Sequence, residues 1–500
     1  MRAWVRELAG GVGALELALI TAAQVAASAR SELLFRDADS LVVAMFARSV
    51  LSGQPMDWAM SSVLFLPETA VFAGLDTILP FEVDGLLAVS AVVNLLALYG
   101  AVRVVAGRRS ERSAPVTWSL LSVAAFSVLA MTAVSASRDA LELASLTLTT
   151  TYYAATVVAV VLSVGLARRV LDRGAGGAVP LIALGATALV STLSNPLYAV
   201  WATAPITLLL ALLLIRTTQR ARIGVVMAVL LAGTILGFLG RIPLAAWIAN
   251  TGAGYVEPER WSESLQYYCA LLIGRLSTPG GIIAGLLVLA LLVLAGFRTA
   301  RASDDGTRFV ATIAWLMPIL VAVGAIAVGT HAARYLQPLA FAPVLALVAS
   351  PHIVRVLVRV RPILAAASVA LLVAGGAASV PRLSAAAQVS DPDLACVTEW
   401  IDASGRTGAG AGQFWTVRLP KLHLQNPARL VQVDHELRGY AWLVNRHDFD
   451  VGEVTFLLED AQTVPWSLPL PAVPEEVVDC GRYRILDFGE TALPLGPQRS

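Results

Sequence analysis

The chain has 500 residues, 57% of them hydrophobic and only 14% charged, with a mean hydropathy of +0.72. Soluble domains carry about 25% charged residues, and a soluble fold has no way to bury this much apolar surface, so the bilayer is the expected solvent. A net charge of +1 argues against nucleic acid as a partner. The basic set is almost all arginine, Lys421 being the only lysine, and carries no chemistry by itself.

The chain opens Met1-Arg2-Ala3-Trp4-Val5-Arg6-Glu7 and runs apolar from about Gly10 to Ala29. This has the layout of a signal peptide, but it is long enough to span and more spans follow, so an uncleaved first helix is expected. Apolar runs set about eleven spans, at 10–30, 82–106, 115–136, 145–167, 178–194, 199–216, 223–240, 279–297, 309–329, 333–350 and 362–380. The fifth and sixth are short, flank Ser194-Asn195-Pro196, and could instead form a broken helix pair. Basic clusters fall at Arg2/Arg6, Arg103–Arg112, Arg168/Arg169/Arg173, Arg216–Arg222, Arg298/Arg301/Arg308 and Arg355/Arg359/Arg361. They occupy every second connection, which by the positive-inside rule puts the N-terminus in the cytoplasm and, with an odd number of spans, the C-terminus outside.

Residues 1–384 then form a transmembrane domain with long external loops at 31–81 and 241–278. The first loop holds Arg36-Asp37-Ala38-Asp39, an amphipathic stretch near Leu41–Leu51, a Gly53–Trp58 turn and a second semi-apolar stretch near Ala59–Leu75. Both stretches are too short and interrupted to span and fit helices lying at the membrane surface. Trp247, Tyr255, Trp261, Tyr267 and Tyr268 in the second loop suit an interfacial belt. Residues 385–500 turn polar, with β-type runs at Phe414–Leu419, Arg429–Val433, Val454–Leu458 and Arg482–Phe488, and read as a small extracytoplasmic α/β domain. Cys396 and Cys480 bracket it; outside the cytoplasm they can pair as a disulfide, the alternative being two free thiols. Cys269 sits in an apolar stretch and reads as packing.

Three clusters of polar residues lie near predicted span ends. Asp37 and Asp39 follow the first span; one can act as a general base, or Asp39-Ser40 simply caps the next helix. In the second external loop, Arg138, Asp139 and Glu142 stand at helical spacing; they can orient an acceptor, a metal or a sugar phosphate, or form a local ion pair. His331, Arg334 and Tyr335 share one helical face at the start of the tenth expected span, where an arginine fork can hold phosphate or snorkel to the interface. Arg241, Arg260 and Arg275 run against the positive-inside trend and are further candidates for an anionic ligand. Asp434-His435-Glu436 and Arg446-His447-Asp448 contain ligand residue types without metal-site spacing. Trp400, Trp415, Tyr440 and Trp442 suit either carbohydrate binding or a core.

This layout resembles the GT-C superfamily of polyprenyl-phosphate-sugar-dependent glycosyltransferases, which includes protein O-mannosyltransferases and aminoarabinose transferases. The resemblance rests on the acidic motif Arg36-Asp37-Ala38-Asp39 after the first span, two surface helices in that loop, the second acidic motif Ser137–Glu142, and the late His331-Ala332-Ala333-Arg334-Tyr335-Leu336-Gln337-Pro338. That last run is similar to the Arg-Tyr-Leu-x-Pro of many members. The first motif departs from the Asp-Glu of the mannosyltransferases. By resemblance, Asp37 or Asp39 is the base, Asp39 slightly favoured, and Asp139 or Glu142 matches the second acidic position. Arg334 meets the donor phosphate.

The implied reaction moves a sugar from a polyprenyl phosphate in a bacterial plasma membrane to an external glycan, lipid or protein acceptor. Phosphate leaves against arginine, with a divalent ion such as Mg or Mn as an open addition. Two other readings stand beside it. A lipid or polysaccharide transporter or flippase would place ionisable groups mid-span, where few are seen, and many show internal repeats, which are absent. A non-catalytic membrane assembly protein would need no cleft at Asp37 and Asp39.

Overall fold

The computed structural model describes residues 3–107, 113–172, 177–215, 219–352, 362–403 and 408–499. Of the basic clusters, Arg2, Arg108, Arg109, Arg112, Arg173, Arg216, Arg355, Arg359 and Arg361 lie outside the described residues. The chain divides into two compact units. One takes Met1–Leu33, Ala88–Ile242 and Ala253–Ala386; the other takes Leu34–Leu87, Pro243–Gly252 and Ala387–Ser500.

The first twelve helices are α1 (Ala3–Ala26), α2 (Val42–Leu51), α3 (Leu66–Ile78), α4 (Val83–Val105), α5 (Pro115–Met131), α6 (Ala154–Leu171), α7 (Ala178–Ser194), α8 (Ala204–Leu214), α9 (Arg220–Leu239), α10 (Trp261–Leu276), α11 (Pro279–Ala300) and α12 (Asp305–Ala327). Seven helices among the described residues are long and apolar enough to cross a membrane: α1, α4, α6, α9, α11, α12 and the stretch Val369–Ala387. This marks a polytopic membrane protein.

The expectation of eleven spans is corrected to these seven. α5 and α7 have 17 residues each and reach about 25 Å at 1.5 Å per residue, the short limit of a helix that can span. Ala199–Leu214 is likewise short. Segment 333–350 is no continuous helix: it breaks into Ala333–Leu336, Pro338–Phe341, Pro343–Leu345 and Ala346–Ala349, because Pro338 and Pro343 bring no amide hydrogen. The span expected at 145–167 starts only at Ala154, after a short 3-10 turn at Ser145–Leu148.

Within the first unit, α7 and α9 approach closely through glycine. A Cβ at Gly233 would stand 2.6 Å from the Gly185 carbonyl, and one at Gly237 2.7 Å from that of Leu189, the small-residue contact that lets membrane helices pack backbone to backbone.

The second unit is built on strands β1 (Trp58–Ala59), β2 (Gly410–Gln413), β3 (Leu430–Val433), β4 (Arg438–Tyr440), β5 (Val444–Asn445), β6 (Glu453–Val454), β7 (Phe456–Glu459), β8 (Glu476–Cys480), β9 (Tyr483–Asp487), β10 (Leu493–Pro494) and β11 (Gly496–Arg499). Seven of them form a mixed sheet in the order β11-β4-β3-β2-β7-β9-β8. Alternate residues of β7 serve opposite faces: Leu457 packs with Val431, Val433 and Phe488, while Phe456 and Leu458 pack with Val397, Val417 and Ile485. The first loop belongs to this unit, since β1 pairs antiparallel with β5. Segment Pro243–Gly252 joins through hydrogen bonds between Met60 and the backbone of Trp247 and Ala249.

Two local expectations change here. α2 is buried on nearly every side, at Val42–Ala47 and Ser49, so it is a core helix and not one lying on a surface. Phe414–Leu419, read as a strand, is the start of the helix Phe414–His423. The adjacent strand position is taken by β2, where a Cβ at Gly410 would meet the Phe456 ring at 2.0 Å, so only the glycine-bearing segment fits. Cys396 and Cys480 are joined as a disulfide with Cα atoms 5.6 Å apart, and Cys269 is exposed on α10 rather than packed.

Candidate functional site

In the first unit the site is built around Arg334. α12 ends at Ala327, and Gly329 turns the chain with φ +71, where a Cβ would meet the Glu257 carbonyl at 1.9 Å. The segment that follows is pinned on several sides. Ser264 Oγ donates to the Thr330 carbonyl at 2.6 Å, and the Tyr268 hydroxyl donates to that of Ala332 at 3.2 Å. Trp201 Nε1 donates to the Tyr335 carbonyl at 3.1 Å, and Gln337 Nε2 to that of Tyr152 at 2.9 Å. Arg334 thus projects from a held backbone, which is what a preorganised cation needs.

Around it stand Asp139 and tyrosines. Arg334 Nη1 lies 3.6 Å from Asp139 Oδ1, and Arg138 lies 3.8 Å from Asp139. The Arg334 guanidinium carbon sits 5.4 Å from the Tyr335 ring centre, and the phenol of Tyr153 faces the same guanidinium. Tyr153 has φ 68 and ψ 27. A left-handed conformation is costly for a bulky side chain and is kept only where the surroundings impose it, often at functional sites. The T-shaped contact of its ring with Trp201, centroids 5.9 Å apart, helps to hold it. His331 is not on a shared helical face with Arg334 and Tyr335, because the 3-10 turn starts only at Ala333; its ring stacks edgewise on Tyr267 at 5.5 Å.

Arg138, Asp139 and Glu142 do not lie on a helix; Arg138 stays paired with Asp139, while Glu142 takes other partners. Glu142 is buried. Its carboxylate accepts from the amides of Val134 and Ser135 at 3.0 and 2.9 Å and from Arg275 Nη1 at 2.8 Å, with Arg30 Nε at 3.7 Å. Arg30, also buried, donates to Ser145 Oγ at 2.8 Å and to the Ser135 carbonyl at 2.9 Å. Arg275 donates to the Thr132 carbonyl and hydroxyl. Glu142 is therefore a fastener between loop and helices, while Asp139 stands at Arg334. Arg30 lies outside the sequence motifs; its signal is a lone arginine at the end of an apolar run, where solvent exposure would be expected.

An apolar groove of about 560 Å³ begins beside these loops. Leu129, Leu141, Leu276, Leu286, Leu289 and Leu339 are among the residues that line it, and Glu142 and Arg275 form its charged end. Leu141 follows Asp139 by two residues and Leu339 follows Arg334 by five.

In the second unit, Asp37 and Asp39 lie in the turn before α2. Asp37 Oδ1 accepts from the Ser40 amide at 3.2 Å and lies 3.4 Å from its hydroxyl, so Asp37 closes the turn; α2 itself starts after Leu41 with no side-chain cap. Between the two aspartates, the Ala38 carbonyl accepts from Arg418 Nε at 2.8 Å. Arg418 is fully buried. It also donates to the Leu443 carbonyl at 2.6 Å and packs 4.9 Å over Phe414. Burial pushes its pKa down to about 10, with Asp39 and Asp37 pulling the other way. Arg418 too escapes the motif reading; its mark is a charged residue inside the apolar face of Phe414–His423, three positions before buried Lys421.

The remaining candidates are engaged structurally. Arg260 pairs with Glu257 and Glu263, and Arg241 donates to the Leu193 carbonyl. Asp434 pairs with Arg438 and Arg499, and His447 with Asp450. Trp400 packs on Phe456 at 5.1 Å and Trp415 on Phe414 at 4.8 Å. No group of three or more His, Cys, Asp or Glu among the described residues is placed to hold a metal ion. A scan against protein-family models finds no match for the chain, and a search of curated proteins finds none.

Proposed function

We propose that this membrane protein is a glycosyltransferase that takes a sugar from a polyprenyl-phosphate donor, in the manner of the GT-C superfamily it resembles. The observation that carries the reading is an arginine, Arg334, on a backbone held by Ser264, Tyr268 and Trp201; an apolar groove lined by Leu141 and Leu339 belongs to the same unit. Arg334 offers a planar fork matched to phosphate oxygens, and the groove beside its loop suits an isoprenoid chain. Asp139 and the Tyr153 and Tyr335 phenols hold the fork in place.

In the reaction, an acceptor hydroxyl attacks the anomeric carbon, and an aspartate of the first loop takes the hydroxyl proton. The bond from that carbon to the phosphate oxygen breaks, and the lipid phosphate leaves with both electrons against Arg334. By the resemblance, Asp37 or Asp39 takes the role of base, Asp39 slightly favoured. The proposed setting is a bacterial plasma membrane, the N-terminus cytoplasmic and the C-terminal region outside. The acceptor is a cell-envelope glycan, lipid or protein.

Binding tests the donor half directly. Wild-type protein in nanodiscs should be stabilised by undecaprenyl phosphate, with Arg334→Gln binding at least tenfold more weakly, about 1.4 kcal/mol. Equal binding by Arg334→Gln, at unchanged thermal stability, would remove Arg334 from the donor site.

A further inference from the structure

The carboxylate of Asp139 meets its two cations loosely. Its Oδ2 lies 3.8 Å from Arg138 Nε, and its Oδ1 lies 3.6 Å from Arg334 Nη1. Both distances allow an ion pair and exceed a hydrogen bond. Oδ1 is buried, and none of the described residues donates a hydrogen bond to it.

The neighbouring donors are committed elsewhere. The Tyr268 hydroxyl is bonded to Thr330 Oγ1 at 2.8 Å and to the Ala332 carbonyl at 3.2 Å, and the Tyr267 hydroxyl is bonded to the Ala333 backbone. The phenols of Tyr153 and Tyr335 face Arg334. Glu142, in the same loop, is filled: its carboxylate accepts from two backbone amides and from Arg275. Of these two acids, Asp139 is the one with an oxygen left open, and that oxygen is the one turned to Arg334.

An ionised carboxylate only accepts hydrogen bonds, and a buried acceptor without a donor is costly. A ligand that satisfies Oδ1 therefore brings an O–H beside whatever Arg334 holds. The next step rests on the donor reading above, in which Arg334 holds the phosphate. In a glycosyl phosphate the ester oxygen sits on the anomeric carbon. The 2-hydroxyl, on the adjoining carbon, is the sugar hydroxyl nearest to that phosphate. We infer that Asp139 selects donors whose sugar carries a free 2-hydroxyl, which donates to Oδ1. Hydrogen bonds to a charged acceptor are among the strong ones, and a site built to bond a hydroxyl rejects the analogue that lacks it.

The test uses the full chain in nanodiscs and titrates it with mannosyl, glucosyl and arabinosyl polyprenyl phosphates, each beside its 2-deoxy counterpart, and with polyprenyl phosphate alone. Wild type should bind at least one of the glycosyl phosphates about tenfold or more tightly than its 2-deoxy counterpart. In Asp139→Ala, folded as judged by its melting curve, that pair should bind alike. Each ratio is taken within one protein, so a change in phosphate affinity cancels from it. Equal binding of every pair by wild type, or a preference kept in Asp139→Ala, would overturn this assignment alone, provided that Arg334→Gln weakens every ligand. No binding of polyprenyl phosphate, or equal binding by Arg334→Gln, would overturn the donor reading and this assignment with it.

Discussion

Among single residues, burial and partners separate Glu142, which fastens, from Asp139, which stands at Arg334. Glu142 and Asp139 stand three apart and look equivalent as a motif, yet one is enclosed by two arginines and two amides and the other sits at Arg334. Removing the Glu142 charge leaves Arg30 and Arg275 buried without their counter-ion, and breaking such a pair costs about 3–5 kcal/mol. Glu142→Gln is therefore expected to lower the melting temperature sharply, and Asp139→Asn to change it little. Similar melting temperatures for the two would mean that the buried cluster does not fasten the fold.

His423 gives a second case. Burial, seconded by Arg48, lowers its pKa, with Glu82 and Asp391 opposing. The unfolded imidazole titrates near about 6.5 and the folded one below it, so the folded state binds fewer protons between the two values. Stability is then full above about pH 6.5 and is lost as pH falls from there through the folded value. Melting curves of the wild type should show this decline, and His423→Gln should flatten it; a slope unchanged in His423→Gln would assign the pH dependence to other groups.

Among the elements, the periodic helices were legible and the interrupted ones were not. α1, α4, α9, α11 and α12 carry apolar runs whose length alone declares them. The stretch after Arg334 is as apolar, but Pro338 and Pro343 divide it, and hydropathy is blind to a missing amide hydrogen. Phe414–Leu419 misleads in the opposite way: its aromatic and β-branched residues favour a strand, while the tertiary fit of Gly410 and Gly412 gives that place to β2. The acidic and arginine motifs were legible as residues, but not their partners. Arg30, Tyr153 and Arg418 come to Glu142, Arg334 and Ala38 from segments far away in sequence, and no local pattern encodes such a meeting.

The disulfide is an element-scale prediction too. Its loop spans 84 positions, and losing a native disulfide from a small domain costs about 2–5 kcal/mol. Reduction, or Cys396→Ser/Cys480→Ser, should make the C-terminal region susceptible to limited proteolysis while the helical unit persists. Equal proteolysis of oxidised and reduced protein would show that the bridge adds no stability.

For the molecule as a whole, composition dictates the membrane, and seven long apolar helices agree with it. The division into units does not follow chain order: the first loop folds with the C-terminal segment through β1 and β5. The Ala38 carbonyl between Asp37 and Asp39 is thereby held by a residue, Arg418, 380 positions away in sequence. The two halves of the proposed chemistry, base and phosphate-binding arginine, are each prepared within its own unit. The most direct test of the central claim is sugar transfer by nanodisc-reconstituted protein from a panel of polyprenyl-phosphate sugars, with Asp37→Asn and Asp39→Asn alongside wild type. The account predicts that wild type consumes one of these donors and that Asp39→Asn, folded as judged by its melting curve, does not. Consumption of no donor, or equal turnover by wild type and Asp39→Asn, would contradict it.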